Sequence, residues 1–214
     1  MEENKSLRVS LDGIFKQNIV LMSGLVTAPI IVAATTFERA LVLSLSFLMI
    51  SYISILICRV FPRKIAYAIR IILYAAVAAA VFIPTALLLK HLFPETAQSV
   101  MIYIEIIVVN SLILSKTESR FYIQPFKIMA VEALVYIAGY IIAALSVGIL
   151  RELLAYGTLF SFRVCDAPMP AAKTPFFGFL LVGLMAAVCR AVIYRIKAKN
   201  TTGSTVIRKG ESGQ

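Results

Sequence analysis

Tryptophan is absent from the 214 residues, and histidine occurs once, as His91. A single imidazole cannot build a His-rich metal centre and gives a Ser/His/Asp triad little to work with. Cysteine is sparse and scattered. Cys58, Cys165 and Cys189 form no Cys-x-x-Cys or Cys/His metal spacing, and an odd count gives no disulfide framework. No catalytic and no metal-ligating residue is therefore assigned. Charge is scarce too, at 15% of residues against about 25% in a soluble domain. Acidic residues number 11 against 21 lysines and arginines. That excess does not point to nucleic acid, because the cations gather at the ends of apolar runs and no polar fold offers them a face. A cleavable signal peptide is not expected. Met1 to Asp12 is polar, no small-residue cleavage site follows a short apolar core, and the first span would be retained.

What is present in quantity is hydrocarbon: 60% hydrophobic residues and a mean hydropathy of +0.91. This excludes a soluble enzyme and predicts an all-α integral membrane protein. Crossing a core of about 30 Å takes about 20 apolar residues. Six transmembrane helices are expected: Gly13 to about Thr35, Ala40 to Cys58, Ile65 to Leu89, Val100 to Ser115, about Ile128 to Leu150, and Pro175 to about Tyr194. An N-terminal arm, residues 1–12, precedes this membrane domain of residues 13–194, and a basic tail, residues 195–214, is expected to be disordered. Six spans put both termini on one side. Lys5, Arg8, Lys16, Arg59, Arg63, Lys64, Arg70, Lys116, Arg120, Lys127 and the tail cations all fall there, so both termini are expected in the cytoplasm. Anionic lipid headgroups of the bilayer are the expected contacts of the tail.

Two spans are interrupted. Glu105, Asn110 and Ser111 put a carboxylate, an amide and a hydroxyl inside the fourth span. Ionisable groups at membrane depth usually face protein or a water-filled cavity, so these three are the candidate ion path or midplane polar site. The first span is broken over Ser23 to Pro29, with Gly24, Val26, Thr27 and Pro29 at the interruption. Interrupted segments in corresponding halves mark a midplane site and fit an inverted three-plus-three repeat. Plainer readings stand beside these. Glu105 can pair with a cation of a partner chain, Asn110 and Ser111 can make interhelical hydrogen bonds, and Gly24 and Pro29 can be a kink. Arg151 and Glu152, at the end of the fifth span, read as a cap or ion pair. Glu132, near that span's start, is placed to snorkel to water.

The order Gly24-Leu25-x-x-Ala28-Pro29, Val109-Asn110-Ser111, then Leu150-Arg151-Glu152-Leu153 with Gly157-Thr158-Leu159-Phe160, resembles the Rnf/Nqr membrane subunits, of the RnfE/NqrD type. Gly13-x-x-Lys16-x-Asn18 and Lys116-x-Glu118 are similar to further motifs of that family, and the likeness runs from about Leu11 to Tyr194. Arg151, Glu152, Gly157 and Thr158 carry its most specific piece. The resemblance implies a non-catalytic membrane subunit of an ion-translocating electron-transport complex. It also implies a homologous, inverted six-span partner among other Rnf/Nqr-like subunits of the bacterial inner membrane. In the family, cysteines on the two broken helices hold a [2Fe–2S] cluster. Here Val26 and Ser111 stand in their places, and Glu105 replaces a family proline. No cofactor is expected on this chain alone, with [2Fe–2S] and flavin left to partner subunits. A stand-alone small ion transporter or channel, or an assembly scaffold reusing the fold, is the alternative.

Overall fold

A computed structural model describes residues 18–62, 64–110, 112–119, 121–160, 162–164 and 169–211. The expected N-terminal arm, Lys16, Ser111 and Cys165 lie outside these. The described chain is mostly helical: α1 Thr27–Ala33, α2 Phe37–Cys58, α3 Tyr67–Leu92, α4 Pro94–Val108, α5 Phe126–Tyr156 and α6 Pro175–Glu211. Between α4 and α5 lie a π-helical turn, Leu112–Lys116, and two three-residue helical turns, Thr117–Ser119 and Phe121–Ile123. Between α5 and α6 a two-stranded antiparallel hairpin, β1 Thr158–Leu159 with β2 Phe162–Arg163, is followed by a 3-10 turn, Pro170–Lys173.

Among the described residues five helical stretches are long and apolar enough to cross a membrane, not the six expected. They are α2, α3, α4 continued to Ser119, α5, and α6 as far as Arg195. The first expected span is the exception. Its described part is a turn over residues 18–24 and the seven-residue α1, which rises only about 10 Å.

Helix α2 is the centre. Thr36 caps it, accepting the Arg39 amide at 3.3 Å, and Glu38 in the first turn suits the positive end of the helix dipole. It packs on α3, α4 and α5. Buried Ser44, Ser46, Ser51 and Ser54 are small enough to let neighbouring backbones come close, and Ser44 and Ser46 donate to carbonyls of their own helix. On α5, a Cβ at Gly148 would stand 2.5 Å from the Ala40 Cβ, so glycine sets the α2–α5 spacing. Phe47 and Tyr140 stack across that contact at 3.8 Å. The periphery differs: 56% of the membrane window of α2 is buried, but only 11% of that of α6, so α6 meets lipid or another chain.

Several expected loops are helical. Residues 90–97 read as a polar loop, yet Phe93 alone separates α3 from α4, because Pro94 starts the new helix at a position where no amide is needed. The expected loop over residues 116–127 is tied to its neighbours by two arginines. Arg59 donates to the Phe121 and Gln124 carbonyls at 3.1 and 2.9 Å, and Arg70 pairs with Glu118 at 2.8 Å. The fifth span continues past Leu150 to Tyr156 and ends on Gly157, whose φ of 67° makes the left-handed stop that glycine favours. The backbone of α6 stays helical to Glu211, past Arg195, the expected start of a disordered tail. No proline follows Pro175 to stop it.

Candidate functional site

The first interruption is built from Asn18 onward. Its Oδ1 accepts the Val20 and Leu21 amides at 2.9 and 3.0 Å, and its Nδ2 donates to the Gly139 carbonyl of α5 at 2.9 Å. The turn closes at Gly24, whose φ of 66° is left-handed and whose amide donates to the Val20 carbonyl at 3.0 Å. Val26 is left-handed as well, with φ 55°. A β-branched residue there is strained by about 1–3 kcal/mol and persists only when its surroundings over-determine it. Helix α1 begins at Thr27. Pro29 sits in its first turn, where a missing amide proton costs no hydrogen bond, so this proline starts a half-helix and does not kink a continuous one.

The far end of α1 is held from α5. The Arg151 guanidinium is fully buried and donates to five backbone carbonyls. Nη1 reaches Ile31 at 2.7 Å and Ala34 at 3.4 Å, at the end of α1. Nε reaches Ala172 at 3.0 Å, and Nη2 reaches Lys173 and Thr174 at 3.1 and 3.2 Å, in the turn before α6. The cation thus faces the carbonyl ends of two helical turns, where positive charge is favoured. Gly178 completes this clamp: a Cβ there would collide with the Ile31 carbonyl oxygen and come 3.2 Å from Nη1 of Arg151. Glu152 turns the other way. Its Oε2 accepts the Phe37 amide at 2.7 Å, at the start of α2, and its Oε1 accepts the Thr158 hydroxyl at 3.3 Å. Arg151 and Glu152 are therefore two separate caps.

At the second interruption α4 stops at Val108 and the chain resumes as the π-helical turn at Leu112. Asn110 spans the gap. Its Nδ2 donates to the Ile107 carbonyl at 2.7 Å and the Ser51 hydroxyl at 3.0 Å, and its Oδ1 accepts the Ile113 amide at 3.0 Å. One amide side chain satisfies the end of one segment, the start of the next and a link to α2.

The two interruptions meet. A cavity of about 210 Å³ is lined by Val26, Thr27, Ala28 and Pro29 on one side and by Ile106, Val109 and Asn110 on the other. Gly24 is not among the lining residues and has open space where a Cβ would be. Glu105 is not part of the lining. It stands on the exposed face of α4 with Ile102 and Ile106, while Val100, Ile104 and Ile107 are buried. Glu132 does not reach water: it is 4% exposed, on the core face of α5 with Met129, Ala133 and Tyr136.

The junction offers hydrocarbon, one hydroxyl and one amide. Iron–sulfur clusters are held by thiolates, with imidazole as the alternative in some centres, and none of these seven residues supplies either. The described cysteines are elsewhere, Cys58 at the end of α2 and Cys189 on α6. The described residues lining this junction offer no ligand suited to a [2Fe–2S] cluster.

Membrane-length helices arranged around two facing interruptions define a multi-pass α-helical membrane protein of the broken-helix class. The family described as "Rnf-Nqr subunit, membrane protein" matches residues 6–188, and the chain belongs to it. The chain is 27% identical to a subunit of the ion-translocating oxidoreductase complex of Pseudoalteromonas atlantica over 86% of each chain. It is 25% identical to the subunit of the same name from Sodalis glossinidius over 97% of each. Similarity extends to a subunit of the Na(+)-translocating NADH-quinone reductase of Pseudoalteromonas translucida, at 22% identity over 89% of this chain and 95% of that one.

Proposed function

We propose that this chain is a non-catalytic membrane subunit of an Rnf/Nqr-like ion-translocating electron-transport complex, and that it contributes no cluster ligands of its own. The observation that carries the reading is the meeting of the two interruptions at one junction, in a chain of this family. Half-helices that face each other at membrane depth are the usual frame of an ion or cofactor site. The donor set at this junction supports a frame kept without the cluster: valine stands at residue 26, and the polar groups that remain are the Thr27 hydroxyl and the Asn110 amide. Any [2Fe–2S] or flavin group belongs to partner subunits.

The partner in this reading is a homologous, inverted six-span subunit. The exposed face of α4 supports it, because Glu105 there lies between Ile102, 69% exposed, and Val109, 62% exposed. A carboxylate on an otherwise apolar helix face at membrane depth calls for a cation on a neighbouring chain. The cation distribution supports an inner-membrane orientation with both termini cytoplasmic, which requires the broken first segment to complete a sixth crossing beside the five long helices.

The test is affinity purification in mild detergent with mass spectrometry of what is recovered. A homologous six-span partner together with flavin-bearing subunits is the expected result. Recovery of this chain alone as a homo-oligomer, with ion flux in liposomes, would replace this reading with an independent transporter.

A further inference from the structure

Helix α6 is anchored near its start and flanked by an apolar groove further along. Near its start Gly178 presses on α1 and the Arg151 clamp. Further along, a groove of about 720 Å³ lies between it and α5. Leu181, Met185, Val188 and Ile193 line one wall, and Ile142 and Leu150 the other. Water gains nothing from such a surface, and an unfilled apolar groove forfeits dispersion contacts along its length. From Leu181 to Ile193 the helix rises about 18 Å. One leaflet of hydrocarbon measures about half of a 30 Å core. The groove is therefore as long as a single leaflet is deep.

Its Ile193 end is polar in a specific way. Arg190 and Arg195 are both exposed, and Tyr194 beside them is 76% exposed. Arg190 donates from Nη2 to the Met22 carbonyl at 3.1 Å, next to Leu21, which also lines the groove. A guanidinium carries five N–H donors in a planar fork that matches phosphate oxygens. No Asp or Glu occurs between Pro175 and Gly210, so the stretch of α6 around Arg190 and Arg195 supplies no counter-ion of its own. Tyrosine and arginine at one helix end mark the headgroup level.

We propose that the α5–α6 groove is a binding site for one anionic phospholipid. Its acyl chains lie along Leu181 to Ile193, and its phosphate rests on Arg190 and Arg195. The charge at one end only, and the length of one leaflet, favour a lipid over a membrane-crossing helix, which would run the full thickness. The proposal rests on the membrane placement of α6 and not on the redox reading above.

The test is native mass spectrometry of the delipidated full chain titrated with phosphatidylglycerol and, separately, phosphatidylcholine. One tightly held phosphatidylglycerol is expected. Arg190→Gln with Arg195→Gln should weaken it about thirtyfold and leave phosphatidylcholine binding unchanged, each basic residue near an anionic surface accounting for about half of that on a logarithmic scale. Met185→Trp, which fills the groove and keeps both arginines, should abolish the tight adduct, with thermal unfolding used to confirm that each variant is folded. Equal affinity for the two lipids, or no loss in the arginine double variant, would overturn the proposal. So would a photo-reactive residue at Leu184 that crosslinks in membranes to another polypeptide instead of to lipid.

Discussion

The two interruptions solve one problem by different means. Both leave amide and carbonyl groups without helical partners at membrane depth, where water cannot satisfy them. At the second, one local side chain, Asn110, satisfies both sides of the gap and ties it to Ser51. At the first, Asn18 caps the turn locally through Val20 and Leu21, but the anchors lie far away in sequence: Asn18 also reaches Gly139, and Arg151 reaches back to Ile31 and Ala34. The backbone groups of the second interruption are therefore satisfied locally, with one link to α2. The first exists only once α5 and the turn before α6 are in place.

That contrast is broken most severely at Arg151. Arg151→Ala strands the Ile31, Ala34, Ala172 and Lys173 carbonyls, while Thr174 keeps the Gly178 amide; with about 1–3 kcal/mol for each buried group left unpaired, a loss of at least about 3 kcal/mol is expected. Arg151→Lys should rescue little, because a point ammonium cannot span carbonyls from α1 and from the turn before α6 at once. Thermal unfolding in detergent measures the loss. Hydrogen exchange should show it concentrated in α1 and spare α4. A uniform loss of protection across both interruptions would mean that they are not independent.

Gly178→Ala sharpens the same point with one methyl group. It places carbon against the Ile31 carbonyl, and overpacking of this kind costs about 1–3 kcal/mol. Gly148→Ala should cost a similar amount through Ala40, but at the α2–α5 contact and with α1 left protected. If both variants expose α1 equally, the clamp is not what holds the half-helix.

The second interruption is tested by Asn110→Ala, with an expected loss of about 1–3 kcal/mol from unpaired backbone groups. Ser51→Ala should cost less, about 0.6 kcal/mol, the average for an interhelical hydrogen bond in a membrane. A double-mutant cycle in the same unfolding assay should show coupling between the two, and additivity would remove Ser51 from the bridge.

How far these features are legible in the sequence follows from where their partners lie. Both interruptions are readable, because Gly24, Pro29 and Asn110 are local breakers within apolar runs. The spans are readable because hydropathy is a property of consecutive residues. The face of Glu105 is not. A helix that is hydrophobic nearly all round hides which stripe is buried, and only the structure separates Ile104 and Ile107 from Ile102 and Ile106. Arg151 reads from the sequence as a charge at a helix end. Its burial depends on carbonyls about 120 positions earlier, a relation no local pattern encodes. A partial signal exists: Arg151 and Glu152 sit between Ile149-Leu150 and Leu153-Leu154, with no polar residue to carry them to water. Phe93 shows the converse, a polar stretch that reads as a loop and that Pro94 makes the first turn of a helix.

Two further effects of about 1 kcal/mol lie at the first interruption itself and carry opposite signs. Gly24→Ala meets no atom within 4 Å, so its cost is that of a left-handed alanine alone, about 1–2 kcal/mol. Val26→Gly removes a strained β-branched residue from the same region of backbone space. Glycine's greater freedom in the unfolded chain takes back about 0.5–1 kcal/mol, so a net gain of about 1 kcal/mol is expected, read as a higher unfolding temperature in detergent. The pair distinguishes two accounts of the junction. If Val26→Gly stabilises, the left-handed turn is strain imposed on residue 26 by the half-helix and its clamp, and the valine is tolerated there. If it destabilises, the valine side chain does more by filling the junction cavity than its backbone costs, and the first interruption is held locally after all, as the second one is.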